Sequence, residues 1–181
     1  MKKIYILFVL FSFSLVCNAQ APKIHENSVE EKAIIEELKL TEDKFYFIAE
    51  ESKRPDNYKG DEDETLNSIL FFVKKYNSVG CKELEDNNDS SLSCDLDQIT
   101  KDKISKSFRG YNLFEGMIFK NIETKAEFSF LEDQVTAVLI YSNQFKDFID
   151  YEKQIQGLET LQASGVIDNF FVIIQNYYLK E

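Results

Sequence analysis

The stretch VTAVLIYSNQFKDFIDYEKQIQGLETLQASGVIDNFFVIIQNYY, residues 135–178, decides the fold. Val135, Ala137, Leu139 and Tyr141 alternate with Thr136, Val138 and Ile140, which is the two-residue period of a strand. Gln144 to Ser164 then carries Phe145, Phe148, Ile149, Ile155, Leu158 and Leu161 at helical spacing, predicting one inward-facing stripe. Asn143 is placed to cap the start of that helix, and Gly165 stands where a C′ glycine is expected. Phe170 to Tyr178 is apolar on both faces through Ile174, the pattern of a central strand covered on both sides. Strand, helix and strand in this order read as a right-handed crossover.

The residues upstream extend this reading. Ala126, Phe128 and Phe130 alternate with Glu127 and Ser129, and Glu132-Asp133-Gln134 makes a polar turn. Residues 126–130 and 135–141 therefore predict a hairpin. Tyr111 to Phe119 reads as a strand interrupted by Gly116. Lys44 to Glu50 reads as another, with Phe45, Phe47 and Ala49 on one face and Tyr46 and Ile48 on the other. Ser28-Val29-Glu30-Glu31 has the S-x-x-E pattern of a capping box and opens a helix to about Leu40. A further helix is expected from Asp61 to Tyr76. Its first four residues are acidic, Leu66, Ile69, Leu70, Val73 and Tyr76 follow at helical spacing, and Lys74 and Lys75 lie near its end. A shorter helix is expected over Ile99 to Phe108, and residues 81–98 read as a long polar loop. The sum is an α+β fold: a mixed or antiparallel sheet of four or five strands packed by three or four helices.

The N-terminus has another character. MKKIYILFVLFSFSLVCNA, residues 1–19, has two lysines, an apolar run and a short tail ending in Cys17-Asn18-Ala19. This is the layout of a secretory signal peptide, with cleavage expected after Ala19. A lipoprotein signal acylated at Cys17 is the rival reading, and Val16 is a poor residue before such a cysteine. The apolar span is short of the ~20 residues a bilayer helix needs. The expected organisation is a signal peptide, 1–19, and a single exported domain, 20–181, periplasmic or secreted. A membrane enters only if Cys17 is lipidated.

Charge and cysteines narrow the partners. The chain carries 21 basic and 32 acidic residues, a net charge of −11 that becomes −13 when Lys2 and Lys3 leave with the signal. Such a surface repels nucleic acid and suits a basic protein partner. Lys101, Lys103, Lys106 and Arg109 form a small basic segment, expected to pair with the chain's own acids. Cys81 and Cys94 remain after cleavage, and in an oxidising compartment such a pair is expected to form a structural disulfide.

Catalytic motifs are scarce. The one histidine, His25, lies near the mature N-terminus, which removes a Ser-His-Asp triad and an H-E-x-x-H zinc site. The sequence has no G-x-x-x-x-G-K-[ST], no G-x-G-x-x-G and no G-x-S-x-G. Two carboxylates would suffice for glycoside hydrolysis, but no particular pair stands out among the acids. Asp86, Asn88 and Ser90 alternate as the ligands of a calcium loop do, with Asp97 twelfth from the start. Ser91 replaces its glycine and Asp97 its final glutamate, so a polar surface loop is the favoured reading. No cofactor is expected. The function expected first is a non-catalytic interaction protein of the inhibitor or immunity type. A carrier of small apolar ligands is the alternative, and a carboxylate-dependent hydrolase comes third.

Overall fold

The computed structural model describes residues 29–50, 68–85 and 93–174. Their strands are β1 (Phe45–Glu50), β2 (Leu70–Lys74), β3 (Asn77–Gly80), β4 (Ile118–Asn121), β5 (Glu127–Phe128), β6 (Thr136–Tyr141) and β7 (Asn169–Ile174). Their α-helices are α1 (Val29–Leu38), α2 (Lys101–Ser107) and α3 (Tyr151–Ala163). All seven strands form one mixed sheet in the order β3-β2-β6-β7-β1-β4-β5. This corrects the expected four or five strands.

β7 occupies the middle of the sheet. It runs parallel to β6 over six residue pairs, from Thr136 opposite Asn169 to Tyr141 opposite Ile174. On its other side it runs parallel to β1, with Phe45 opposite Val172. The outer pairings are antiparallel. Parallel neighbours cannot be joined by a tight turn, so the chain between β6 and β7 must cross over, and α3 is that connection.

Strand alternation divides the core in two. Phe170, Val172 and Ile174 face the same side as Ala137, Leu139 and Tyr141, and all three helices pack there. Ile34 and Leu38 come from α1, Ile104 from α2, and Ile155, Leu158 and Leu161 from α3. Phe171 and Ile173 face the opposite side with Val138, Phe71 and Val73. Loops and rings cover that side. Phe171 is its hub, with centroids 4.8 Å from Tyr46, 4.9 Å from Phe128 and 5.7 Å from Phe119. Phe114 closes the cluster against Phe71 at 5.5 Å, edge to face. The expected faces of β1 hold: Phe45 and Phe47 pack on the helical side, Tyr46 and Ile48 on the aromatic side.

Three further expectations are overturned. Residues 70–80, expected to continue a helix to Tyr76, form the β2–β3 hairpin, with Lys74 opposite Asn77. Leu70, Phe71, Phe72 and Val73 are all buried, Leu70 and Phe72 in one cluster and Phe71 and Val73 in the other. A strand covered on both faces is apolar at every position, and such a run satisfies helical spacing as well as strand spacing. Tyr76, expected inward, sits in the turn and is 51% exposed. The rest of that expected helix, 61–67, lies outside the described residues.

The expected hairpin of 126–130 with 135–141 does not form. β5 pairs with β4 at one edge, while β6 inserts between β2 and β7. β6 is buried on both faces, and only interior neighbours supply that cover. Finally, Tyr111 to Phe119 is mostly a turn. Asn112 Oδ1 accepts from the Phe114 amide at 2.9 Å, and Asn112 Nδ2 donates to the Lys74 and Lys75 carbonyls. The same segment lies along the outer side of β3: the Ser78 amide donates to Tyr111 O and the Arg109 amide to Ser78 O.

Phe171→Ala removes the ring on which the helix-free face converges. It is expected to cost about 3–5 kcal/mol in urea unfolding. A cost below 1 kcal/mol would show that the cluster closes without its hub.

Candidate functional site

β3 ends at Gly80, and the chain turns at once into a 3-10 segment, Cys81–Leu84. Gly80 is there because space is short: a Cβ would lie 3.0 Å from Glu83 Oε1 and 3.2 Å from Ser68 Cβ. The Gly80 amide donates to Glu83 Oε1 at 3.2 Å, and Glu83 Oε2 takes two bonds from Arg109, each at 2.8 Å. Arg109 also donates to the Tyr111 hydroxyl at 2.8 Å. Partial burial works against the Arg109 charge, but the Tyr111 and Glu83 contacts outweigh it and raise the pKa. Lys106 pairs with Asp102, so two members of the basic segment are held by the chain's own acids, as expected.

Cys81 bonds Cys94, with Cα atoms 6.1 Å apart. Both cysteines are buried in the helical-side core. Polar groups pin the base of the loop that the bond closes. Lys82 pairs with Glu85, with side chains only 13% and 7% exposed. Lys82 Nζ also donates to Ser93 O at 3.3 Å, and Glu85 Oε1 accepts the Asp95 amide at 2.6 Å. A second 3-10 turn, Leu96–Gln98, follows, and Gln98 Nε2 donates to Asp95 Oδ2 at 2.7 Å.

α3 packs against this bridged segment. The helix begins later than expected, at Tyr151. Asp150 rather than Asn143 caps it, accepting the Lys153 amide at 2.9 Å. Tyr151 is fixed by the Ser142 amide at 3.1 Å and by Ile140 O at 3.3 Å. Burial pushes its phenol pKa up, with the Ser142 donor pulling the other way. At the far end Gly165, at φ +73°, makes the expected C-terminal turn: its amide bonds Gln162 O and the Val166 amide bonds Leu161 O. Midway, Gly157 admits Leu96. A Cβ on Gly157 would lie 2.6 Å from Leu96 Cδ1 and 3.0 Å from Leu96 Cβ. One turn earlier, Gln154 Nε2 donates to Cys94 O at 2.9 Å.

Two grooves lie along this contact. The larger, about 450 Å³, has the buried Cys94 and Gln154 in its lining together with Asp95, Phe148 and Asp150. The smaller, about 230 Å³, shares Cys94, Asp95, Lys153 and Gln154 and continues past Asp97 and Gly157 to Thr160. Phe148, expected to point into the core, is instead 77% exposed, because the chain turns before Asp150 and leaves the ring outside. Gln154 is 3% exposed, and its Oε1 accepts no hydrogen bond. A buried acceptor left without a donor costs about 1–3 kcal/mol.

The sequence-predicted residues divide accordingly. Cys81 and Cys94 meet. Of the calcium-type positions, Asp97 is placed, exposed on the second 3-10 turn. Asp86, Asn88 and Ser90 lie outside the described residues, as do His25 and the expected signal, 1–19. Among the described residues no three His, Cys, Asp or Glu side chains gather to hold a metal, and no helix is long and apolar enough to cross a membrane. Sequence reading passed over Gln154 and Gly157. The available signals were a polar residue in the stripe of Tyr151, Ile155 and Leu158, and a glycine in mid-helix.

Two changes test this construction. Gly157→Ala is expected to destabilise by about 1–3 kcal/mol despite the better helix propensity of alanine. Adding Leu96→Ala should recover part of that loss relative to Leu96→Ala alone; strict additivity in urea melts would refute the close approach. Cys81→Ser with Cys94→Ser is expected to cost about 2–4 kcal/mol, and an unchanged melting temperature would show that the polar contacts suffice alone.

No family model, no curated protein and no solved structure matches this chain.

Proposed function

We propose that this chain is an exported, non-catalytic domain that binds another protein through the grooved face beside Cys81–Cys94. One observation carries the reading: Phe148, a large apolar ring, stands 77% exposed at the edge of a groove lined by polar groups and bordered by a disulfide. Interfaces draw most of their energy from a few such aromatic anchors surrounded by near-neutral contacts. The signal-like residues 1–19 and the disulfide support export.

The chemistry of the groove favours binding over turnover. Its carboxylates already have structural work. Glu85 is paired with Lys82, Asp95 holds Gln98, and Asp150 caps α3. A general acid or base needs a group left available for proton transfer. The alternative reading, a carrier of apolar ligands, would draw on the aromatic face. There the rings of Tyr46, Phe119, Phe128 and Phe130 are packed on Phe171. The net charge of −11 favours a basic partner, and long-range attraction would speed the encounter.

The test is affinity capture with the oxidised chain from extracts of the producing cells, at low and high salt. The expected result is one basic protein bound 1:1, weakened by salt. Phe148→Ser should lower its affinity about tenfold or more at an unchanged melting temperature. No partner at either salt, or capture indifferent to Phe148→Ser, would overturn the reading.

A further inference from the structure

The two grooves share Cys94, Asp95, Lys153 and Gln154, so they adjoin. Together they follow α3 from Asp150 to Thr160, a run of about 15 Å at helical rise. An extended chain covers that distance in about five residues. We propose that this track takes an extended, arginine-bearing segment of the partner protein, its backbone along α3 and one guanidinium on the Phe148 ring. The proposal rests on the protein-binding reading and names the chemistry of the bound segment.

Charge and hydrogen bonding argue for this occupant. Lys82 is spent on Glu85, which leaves Asp95, Asp97 and Asp150 against Lys153 along the track. The Gln98 amide and the Lys153 backbone amide hold Asp95 and Asp150; both donors are neutral and leave the acidic charge in place. An exposed phenyl face beside carboxylates suits a guanidinium, which stacks on the ring and donates in its plane to the acids. The buried Gln154 carbonyl, in the stretch common to both grooves, is an acceptor without a donor. Its Oε1 has no exposed surface, so the side chain must turn toward the groove for a backbone N–H of the bound segment to satisfy it. A segment without arginine would leave the Phe148 ring and the carboxylates beside it unused.

The experiment is an NMR titration of the ¹⁵N-labelled oxidised chain with acetyl-Arg-Ala-Arg-Ala-Arg-amide, carried into the millimolar range. The glutamate counterpart, acetyl-Glu-Ala-Glu-Ala-Glu-amide, is the control. Saturable shifts confined to the amides of Asp95–Gln98 and Lys153–Thr160 are expected with the arginine peptide alone. Affinity should fall about fivefold in Asp95→Asn with Asp97→Asn, and by a similar factor in Phe148→Ala, each at unchanged melting temperature. Absence of shifts, shifts spread over other acidic surfaces, equal binding of the glutamate peptide, or indifference to both variants would overturn the proposal. If a partner is captured in a Phe148-dependent way while the arginine peptide does not bind, this inference fails alone. If neither binds, both readings fail.

Discussion

The parallel pairing of β6 with β7 is the constraint from which the other placements follow. Both strands are apolar on two faces, so each must lie in the sheet interior with a layer on either side. Two parallel neighbours need a crossover, and that obligation brings α3 onto one face of the sheet. With α3 in place, Gly157 and Gln154 have something to meet, and the chain between Gly80 and Ile99 is drawn against them. The opposite face receives no helix among the described residues. It is closed by rings that pack on Phe171, Phe128 edge to face and Tyr46, Phe119 and Phe130 tilted, and aromatic side chains have the area to cover a sheet without a second layer of backbone.

The bridged segment shows how a polar stretch acquires a fixed shape. Residues 81–85 and 93–98 have few apolar side chains, yet Leu84 and Leu96 are buried. The disulfide holds the two ends of the intervening loop, while Lys82, Glu85 and the Asp95 amide satisfy one another at its base. Breaking one partner of so enclosed an ion pair would strand the other charge, so the pair and the bond reinforce each other. The resulting rigid wall makes the adjoining grooves a surface with a defined shape.

Much of this was legible from residue order, and the failures share a cause. β7, the two faces of β1, the Gly165 turn and the Cys81–Cys94 pair could all be read because local pattern and tertiary placement agree there. The β2–β3 hairpin could not. Leu70-Phe71-Phe72-Val73 is apolar without interruption, and period alone does not separate a doubly covered strand from a helix. The start of α3 failed for a related reason. Phe145, Phe148 and Ile149 keep helical spacing through a segment that turns twice before Asp150, and only the Asp150 cap marks the true beginning. The pairing of β5 was hidden because adjacency in sequence favoured β6, whereas two-sided burial of β6 required interior neighbours. The groove itself was largely illegible. An exposed Phe148 and an unsatisfied Gln154 are outcomes of packing between distant segments, and nothing in their immediate neighbours announces them.

The segment from Arg109 to Leu113 has a consequence for how these molecules behave in numbers. By trading backbone hydrogen bonds with Ser78, and by offering the Leu113 amide to the Ser78 hydroxyl, it occupies the outer margin of β3. The opposite margin, β5, is two residues long. A sheet whose margins are masked or abbreviated presents little template for strand addition by a neighbour. The protein can therefore keep a large, strongly apolar sheet and still resist the edge-to-edge assembly that leads toward fibrils.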